Sequence, residues 1–140
     1  MVNRTKVEAV AARVIRVILG SIFVVAGALK LMNPAAFAVV ISHFRILTPL
    51  YPAYAALYLP WLEISSGLML IMARALPGAS LVLMVLCIVF LLGLGSASLR
   101  GLDIECGCFG NGIASSSIPI ALFRTVVLGV AAMFVYKRSN

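Results

Sequence analysis

Residues Ala79–Leu99 read ASLVLMVLCIVFLLGLGSASL and form a run of 21 residues without a charged side chain. At about 1.5 Å of rise per residue, a helix of this length crosses the roughly 30 Å hydrocarbon core of a bilayer. The whole chain has 64% hydrophobic and 11% charged residues, whereas a soluble domain is about a quarter charged. So much apolar surface has no aqueous core to enter, and the sequence predicts an integral membrane protein.

Three further apolar runs flank this segment. Together they predict spans over residues 10–32, 53–73, 79–99 and 118–136 of a single domain, residues 1–140. Between the first two spans, apolar residues recur at three- and four-residue steps, the pattern of an amphipathic helix at the membrane interface. Pro77-Gly78 indicates a turn, and Gly93 and Gly95 predict close helix approach. The expected fold class is all-α: an integral membrane four-helix bundle with an amphipathic interfacial helix between spans 1 and 2.

The N-terminus also has features of a secretory signal peptide. It starts with basic residues, its apolar run from Val17 to Leu29 is short, and Ala26-Gly27-Ala28 resembles a cleavage site of small residues. Helical apolar character nevertheless extends back to Val10 and forward past Lys30. This extension favours an uncleaved transmembrane helix.

The basic residues flank the apolar runs instead of forming one patch. The net charge of +7 therefore indicates membrane orientation rather than nucleic-acid binding. A cytoplasmic N-terminus puts seven basic residues at inner ends, namely Arg4, Lys6, Arg13, Arg16, Arg74, Lys137 and Arg138, and leaves Lys30, Arg45, Arg100 and Arg124 in the outer half. The excess predicts a multi-pass protein of the cytoplasmic (inner) membrane with both termini inside. The loop after the third span then lies on the outer face, where disulfides form and persist.

That loop contains Cys106 and Cys108, separated by Gly107. Cysteines at this spacing close a tight ring, and strained, exposed disulfides are the labile, oxidising kind. The pattern favours a redox-active pair, with a static disulfide, metal ligation and inert thiols as the alternatives. Two thiolates and the distant His43 are a thin ligand set for zinc, so no metal is expected. Cys87 falls in the middle of the third span and is expected to be a small lipid-facing or core residue.

Three ionisable residues fall within the predicted spans: Lys30, Glu63 and Arg124. Glu63 precedes Arg74 by eleven residues, or about 16 Å, which is close to the bilayer midplane. A lone carboxylate there costs at least ~2.5 kcal/mol, so it should be paired, hydrogen-bonded or protonated. One interpretation is structural: Lys30 snorkels to the interface, while Glu63 and Arg124 lock two helices together. The other is functional: the cations lower a cysteine pKa or hold a polar ligand head.

Three motifs together resemble the MauE family of methylamine-utilisation membrane proteins, which is related to DoxX. They are Gly27-x-x-Lys30-Leu31-x-x-Pro34-x-x-Phe37, Leu59-Pro60-Trp61-Leu62-Glu63 with Gly67, and Arg100-Gly101-Leu102-Asp103-Ile104-x-Cys106-Gly107-Cys108-Phe109-Gly110 followed by Arg124. The match covers nearly the whole chain. Its most specific part is the Cys-Gly-Cys-Phe-Gly block.

The resemblance implies a four-helix membrane protein associated with maturation of methylamine dehydrogenase, whose exported small subunit is disulfide-rich. It also implies a thioredoxin-like partner outside the cytoplasm. DoxX relatives are linked to quinone-coupled sulfur oxidation, so the resemblance further implies a quinone as electron acceptor, by analogy of fold.

Three functional hypotheses follow. In the first, the chain is a thiol–disulfide oxidoreductase: Cys106 and Cys108 exchange with the thioredoxin-like partner, and Lys30, Glu63 and Arg124 form a supporting polar cluster. In the second, it is a non-catalytic assembly factor that docks an exported client, and the disulfide is only a brace. In the third, it is a small proton-coupled transporter that uses Glu63 as its proton or ion site.

Overall fold

A computed structural model of the chain describes residues 2–43, 50–101 and 118–139. Within these ranges the backbone forms helices joined by turns, with no strand. The helices are α1 (Val2–Met32), α2 (Pro34–His43), α3 (Tyr51–Ile71), α4 (Leu76–Leu99) and α5 (Ile118–Ser139). The predicted all-α class is confirmed.

Four of the described helices, α1, α3, α4 and α5, are long and apolar enough to cross a membrane. The longest is α1, whose 31 residues extend about 46 Å, more than the roughly 30 Å core of a bilayer. In contrast, α2 has 10 residues and is about 15 Å long, too short to cross. A four-helix membrane fold is therefore confirmed, and α2 is compatible with a position at the interface.

Successive long helices run in opposite directions. Along α1, Gly20 faces Gly67 of α3, whereas Lys30 faces Glu63, which comes earlier in α3. Near its start, α1 also meets the end of α5, where Arg138 donates a hydrogen bond of 3.0 Å to Glu8. We name the loop end of the bundle as the end where α1 and α4 finish and α3 and α5 begin. The described chain stops there after α4, at Gly101, and resumes there at the start of α5.

Apolar side chains fill the space between the helices. The main buried cluster consists of Leu19, Phe23, Leu70, Ala79, Leu83, Leu86, Cys87, Ala132 and Val135. A smaller cluster nearer the loop end joins α4 to α5 through Leu94, Ala97 and Ala121. Lipid is as apolar as these side chains, so close van der Waals packing, rather than the hydrophobic effect, holds such helices together.

A very close helix contact lies between α1 and α3. A Cβ added to Gly67 would lie 2.7 Å from the carbonyl oxygen of Gly20, and a Cβ added to Gly20 would lie 2.6 Å from the carbonyl oxygen of Gly67. Only glycine at both positions lets the two backbones approach this closely. Of the small residues of α4, Gly93 and Ala97 are buried, and Ala97 packs in one cluster with Ala121 of α5, whereas a Cβ on Gly95 would meet nothing within 4 Å.

The turn between α3 and α4 occupies Met72–Ala75, earlier than predicted. Pro77 and Gly78 lie in the first turn of α4, which begins at Leu76. Proline is tolerated there because the first N–H groups of a helix have no intrahelical acceptor. The chain reverses instead through left-handed backbone at Ala73 (φ 56°) and Ala75 (φ 45°). The prediction of a turn at Pro77-Gly78 is therefore wrong.

A single residue, Asn33, separates α1 from α2. Its side-chain oxygen accepts a hydrogen bond of 3.1 Å from the N–H of Ala36, which is the capping contact that starts a helix. Pro34 follows in the first helical position, where its fixed φ suits a helix. This junction directs α2 back over the bundle and buries Phe37 and Ile41.

The α1–α3 contact predicts that Gly67→Ala destabilises the protein. The added methyl group would overlap a carbonyl oxygen of the facing backbone, which cannot rotate away, so the two helices must separate. Overpacking of this kind costs about 1–3 kcal/mol. The measurement is the thermal unfolding midpoint of the purified protein in detergent.

Gly95→Ala is the matched control, because its methyl group would meet open space. Alanine is favoured over glycine inside a helix by about 0.5–1 kcal/mol, so this variant should be unchanged or slightly more stable. Equal destabilisation by both substitutions would contradict the close α1–α3 contact.

Candidate functional site

A buried ion pair joins the last turn of α1 to the middle of α3. The ammonium of Lys30 donates hydrogen bonds to both carboxylate oxygens of Glu63, at 2.6 and 2.8 Å. The two side chains are only 2% and 1% exposed. Both carboxylate oxygens accept a hydrogen bond. The attraction between the two charges then offsets much of the free-energy cost of removing them from water.

The glycine one turn before Lys30 makes this pairing possible. A Cβ on Gly27 would lie 2.8 Å from the carbonyl oxygen of Pro60 and 3.3 Å from the Cβ of Glu63. Residues three apart share a helix face, so the close approach at Gly27 also brings Lys30 against α3. The motif Gly27-x-x-Lys30 therefore has a packing explanation as well as a chemical one.

Two aromatic rings complete the surroundings of the ammonium. The Nζ atom of Lys30 lies 5.2 Å from the ring centroid of Phe37 and 4.7 Å from that of Phe90. A cation within about 6 Å of a ring face is attracted by the ring quadrupole, more strongly when it is removed from water. Through these contacts, one side chain of α1 holds α2, α3 and α4 together.

A cavity of about 30 Å³ adjoins the ion pair. Its walls include Lys30, Glu63, Cys87, Phe90 and Arg124, and it is completed by Ile22, Phe23, Ala26, Thr125 and Leu128. A site for one water needs about 10–15 Å³ of such space, so this cavity has room for about two. It is the point at which α5 joins the polar cluster, because Arg124 and Thr125 lie on that helix.

The structure brings together the three ionisable residues that the sequence placed in one half of the membrane. Lys30, Glu63 and Arg124 line one cavity, although they belong to three helices. Two details of the structural interpretation are wrong. Lys30 is buried rather than extended to the interface, and the partner of Glu63 is Lys30. The functional role of the cluster stays a prediction.

Three residues that contribute to this site were not identified from the sequence. Cys87 was assigned only to packing; it is buried and free, yet it also lines the cavity. Phe90 lies three residues after Cys87, on the same face of α4, so this spacing was the available signal. Phe37 was visible as an apolar position of the amphipathic helix and as the last residue of the first family motif, and neither observation predicts its contact with Lys30.

The predicted exchange pair, Cys106 and Cys108, lies outside the described residues. Its role as a redox pair, a brace or a metal ligand stays a prediction. Within residues 2–43, 50–101 and 118–139, no three His, Cys, Asp or Glu residues come close enough to hold a metal ion.

The quinone that the family resemblance implied does not fit beside the ion pair. The ammonium of Lys30 is enclosed by Glu63 and the two phenylalanine rings. The remaining cavity of about 30 Å³ accommodates water-sized molecules and not a quinone ring. We therefore derive no step through a quinone at this cavity.

The ion pair predicts a strong asymmetry between single and double substitutions. Lys30→Met or Glu63→Gln leaves one buried group without its partner, which typically costs about 3–5 kcal/mol. The double substitution removes both charges and should recover much of that loss. A double-mutant cycle on the thermal unfolding midpoint in detergent measures the coupling.

Glu8→Gln serves as the control for this cycle, because it breaks the exposed pair with Arg138. Exposed pairs contribute about 0–1 kcal/mol, and these two side chains are 56% and 42% exposed. Single substitutions at Lys30 or Glu63 that cost no more than Glu8→Gln would show that the buried pair is not a stabilising contact.

Comparisons with known proteins agree with the motifs and the fold. The family model described as "Methylamine utilisation protein MauE" matches residues 8–137. Over 120 residues the chain is 32% identical to a Paracoccus denitrificans protein named methylamine utilization protein MauE; the alignment covers 85% of this chain and 64% of that relative. The chain thus spans less than two thirds of its relative's length, and no solved structure matches it. The matched residues run through all of the described helices, and on this evidence the chain belongs to the MauE family.

Proposed function

We propose that this chain is a membrane thiol–disulfide exchange protein, in which Cys106 and Cys108 react with a thioredoxin-like partner outside the cytoplasm. The observation that carries the proposal is the cluster of the buried Lys30 and Glu63 with the half-buried Arg124 around one cavity. Lys30 and Arg124 lie near the loop end of the bundle, two residues before the end of α1 and six residues after the start of α5. The cysteine pair belongs to the segment that joins α4 to α5 at that same end.

Chain length supports a position of the pair near this cluster. Cys106 follows Gly101, the last described residue after α4, by five residues. Because an extended chain spans at most about 3.6 Å per residue, the two Cα atoms are separated by no more than about 18 Å. On the other side, Arg124 lies six residues into α5, about 9 Å below its start.

The proposed reaction is a two-electron exchange. A thiolate of the partner attacks one sulfur of the Cys106–Cys108 disulfide, which forms a mixed disulfide and releases the other sulfur as a thiolate. The second thiol of the partner then attacks the mixed disulfide. The partner leaves as a disulfide, and Cys106 and Cys108 are left as a dithiol; the reverse sequence reduces the partner.

Among the polar residues, Arg124 has the clearest role in this scheme. Lys30 is bound by Glu63 at 2.6 Å, whereas Arg124 lies on α5, the helix that follows the segment with the two cysteines. A cation near a cysteine favours its thiolate, which is the reacting form. Lys30 and Glu63 would then position Arg124 by fixing the helices around it.

The family assignment supports a biological setting for this exchange. The Paracoccus relative is named for methylamine utilization, and the resemblance implies a disulfide-rich exported client. We extend the same setting to this chain: maturation of an exported protein such as methylamine dehydrogenase, at the cytoplasmic (inner) membrane.

Single-cysteine variants test the exchange. With Cys106→Ala or Cys108→Ala, the remaining thiol can still form a mixed disulfide, but the ring that would release the partner cannot close. At least one variant should therefore accumulate a covalent complex with a thioredoxin-like protein. Alkylation of cell extracts, followed by non-reducing electrophoresis and mass spectrometry, detects it.

Cys87→Ala is the matched control, because Cys87 is 2% exposed and should neither trap a partner nor affect exchange. Failure of both single-cysteine variants to trap a partner, with activity retained in the Cys106→Ala/Cys108→Ala double variant, would favour the assembly factor. A transporter would behave differently. It would tolerate loss of the cysteines and lose function in a Lys30→Met/Glu63→Gln variant that still folds.

Thiol labelling tests the proposed orientation. In intact cells, a membrane-impermeant maleimide should label the reduced wild-type chain, because Cys106 and Cys108 would face outwards. The Cys106→Ala/Cys108→Ala variant should stay unlabelled, since its remaining cysteine, Cys87, is buried. Labelling that requires opened cells would reverse the topology.

A further inference from the structure

The end of the bundle opposite the loop end is strongly basic, and we name it the basic end. It consists of the first half of α1, the turn between α3 and α4, and the end of α5. Its basic side chains are Arg4, Lys6, Arg13, Arg16, Arg74, Lys137 and Arg138. Among the described residues, Glu8 has the only side-chain carboxylate at this end, and it already accepts a hydrogen bond from Arg138.

The two acidic residues outside the described ranges, Asp103 and Glu105, cannot reach the basic end. Glu105 follows Gly101 by four residues, so the two Cα atoms are separated by no more than about 14 Å. Gly101 lies at the loop end, and α4, with its 24 residues, is about 36 Å long. These two carboxylates therefore leave the charge of the basic end uncompensated.

One cation of the basic end, Arg16, lies at the level where α3 finishes. A Cβ added to Gly20 would lie 2.8 Å from the side chain of Ile71, the last residue of α3. Arg16 precedes Gly20 by one turn, on the same face of α1. Because α1 and α3 are antiparallel, Arg16 is level with the turn that follows α3, and Arg74 lies in that turn.

The guanidinium of Arg16 has donors without an acceptor. Its Nε atom is fully buried and makes no hydrogen bond, although the side chain as a whole is only half-buried. It takes no part in the ion pairs Lys30–Glu63 and Glu8–Arg138. A guanidinium has five N–H donors, and donors that are removed from water without a partner are unfavourable. An anion at this side chain would supply the missing acceptor.

Arg13 and Arg74 lie in the same layer of the membrane as Arg16. The 21 residues of α3 extend about 31 Å, the thickness of the hydrocarbon core, so the end of α3 marks its edge. The polar headgroup layer beyond that edge is about 5–8 Å thick. Arg13 precedes Arg16 by three residues, about 4.5 Å, on the same face of α1. Arg13 and Arg74 are both exposed. We name these three arginines the basic shelf.

A phospholipid headgroup fits the chemistry and the depth of the basic shelf. Guanidinium groups bind phosphate through charge-assisted, two-pronged hydrogen bonds, and basic clusters beside a membrane span attract anionic lipids. Val17, next to Arg16, and Met72, at the start of the turn, are 38% and 59% exposed and offer apolar contacts to the acyl chains. A zwitterionic headgroup would bring an ammonium group, which the three arginines repel.

We propose that the basic shelf binds the headgroup phosphate of an anionic phospholipid, with Arg16 as the central contact. The site uses neither Arg124 nor a cysteine, so it is independent of the proposed thiol exchange. It is also independent of the orientation of the chain, because either leaflet of a membrane can supply an anionic lipid.

Native mass spectrometry of the full-length chain, purified in detergent, tests the proposal. Dioleoyl phosphatidylglycerol and dioleoyl phosphatidylcholine are added in equal amounts, and the lipids that remain bound are identified and counted. The chain should retain phosphatidylglycerol in preference to phosphatidylcholine. Inorganic phosphate should not displace it, because a free anion lacks the acyl chains.

Matched variants locate the site on the basic shelf. Arg16→Gln should weaken binding of phosphatidylglycerol about tenfold, the effect of losing one charge-assisted hydrogen bond. Arg16→Lys keeps the charge but not the two-pronged contact, and should have an intermediate effect. The double substitution Arg13→Gln/Arg74→Gln changes only exposed side chains and should also weaken binding. Arg4→Gln is the control: it removes the same charge from α1, about 18 Å from Arg16, and should have no effect.

Four outcomes would overturn the proposal. Equal losses in Arg4→Gln and Arg16→Gln would show a general attraction to the basic end rather than a site. Equal retention of the two lipids would refute the anionic headgroup, and displacement by inorganic phosphate would show a site for a free anion. Unchanged binding in folded Arg16→Gln and Arg13→Gln/Arg74→Gln chains would refute the basic shelf. The Cys106→Ala/Cys108→Ala chain should bind like the wild type, so failure of thiol exchange would leave this result intact.

Discussion

The contact on which this bundle depends is the ion pair between Lys30 and Glu63. Neither charge is stable alone at this depth of a membrane, so each helix position that lets them meet is constrained. Gly27 permits the approach of α1 to α3, and Asn33 turns α2 so that Phe37 covers the ammonium. Phe90 adds α4 to the same point. The contacts of one buried ammonium group thus fix the positions of four helices relative to one another.

Around the ion pair, the helices are held together by close van der Waals packing rather than by the hydrophobic effect. Nearly every surface of these helices is apolar, and lipid satisfies an apolar surface as well as a neighbouring helix does. What distinguishes the α1–α3 interface is the reciprocal contact of Gly20 and Gly67, where each backbone fills the space left by the absent side chain of the other. The ion pair fixes the register of α1 against α3, and the two glycines allow the short distance between their backbones.

The four spans and the need of Glu63 for a partner could be predicted from the sequence. Both follow from the free-energy cost of placing polar groups in lipid. The identity of that partner could not be predicted. Lys30 and Arg124 were equally available by depth, and the choice depends on helix rotation, which the contact at Gly27 sets. Cys87 was missed for the same reason. In a helix that is apolar on every side, no periodicity shows which face meets the cavity.

The separation of the paired residues has a consequence for biosynthesis. Lys30 and Glu63 are 33 positions apart, so during synthesis α1 reaches the membrane before the residue of α3 that neutralises its lysine. Until then, the long side chain must hold its charge among the lipid headgroups. The arrival of α3 draws the ammonium inward, and the final depth of α1 is therefore established by a later segment of the chain.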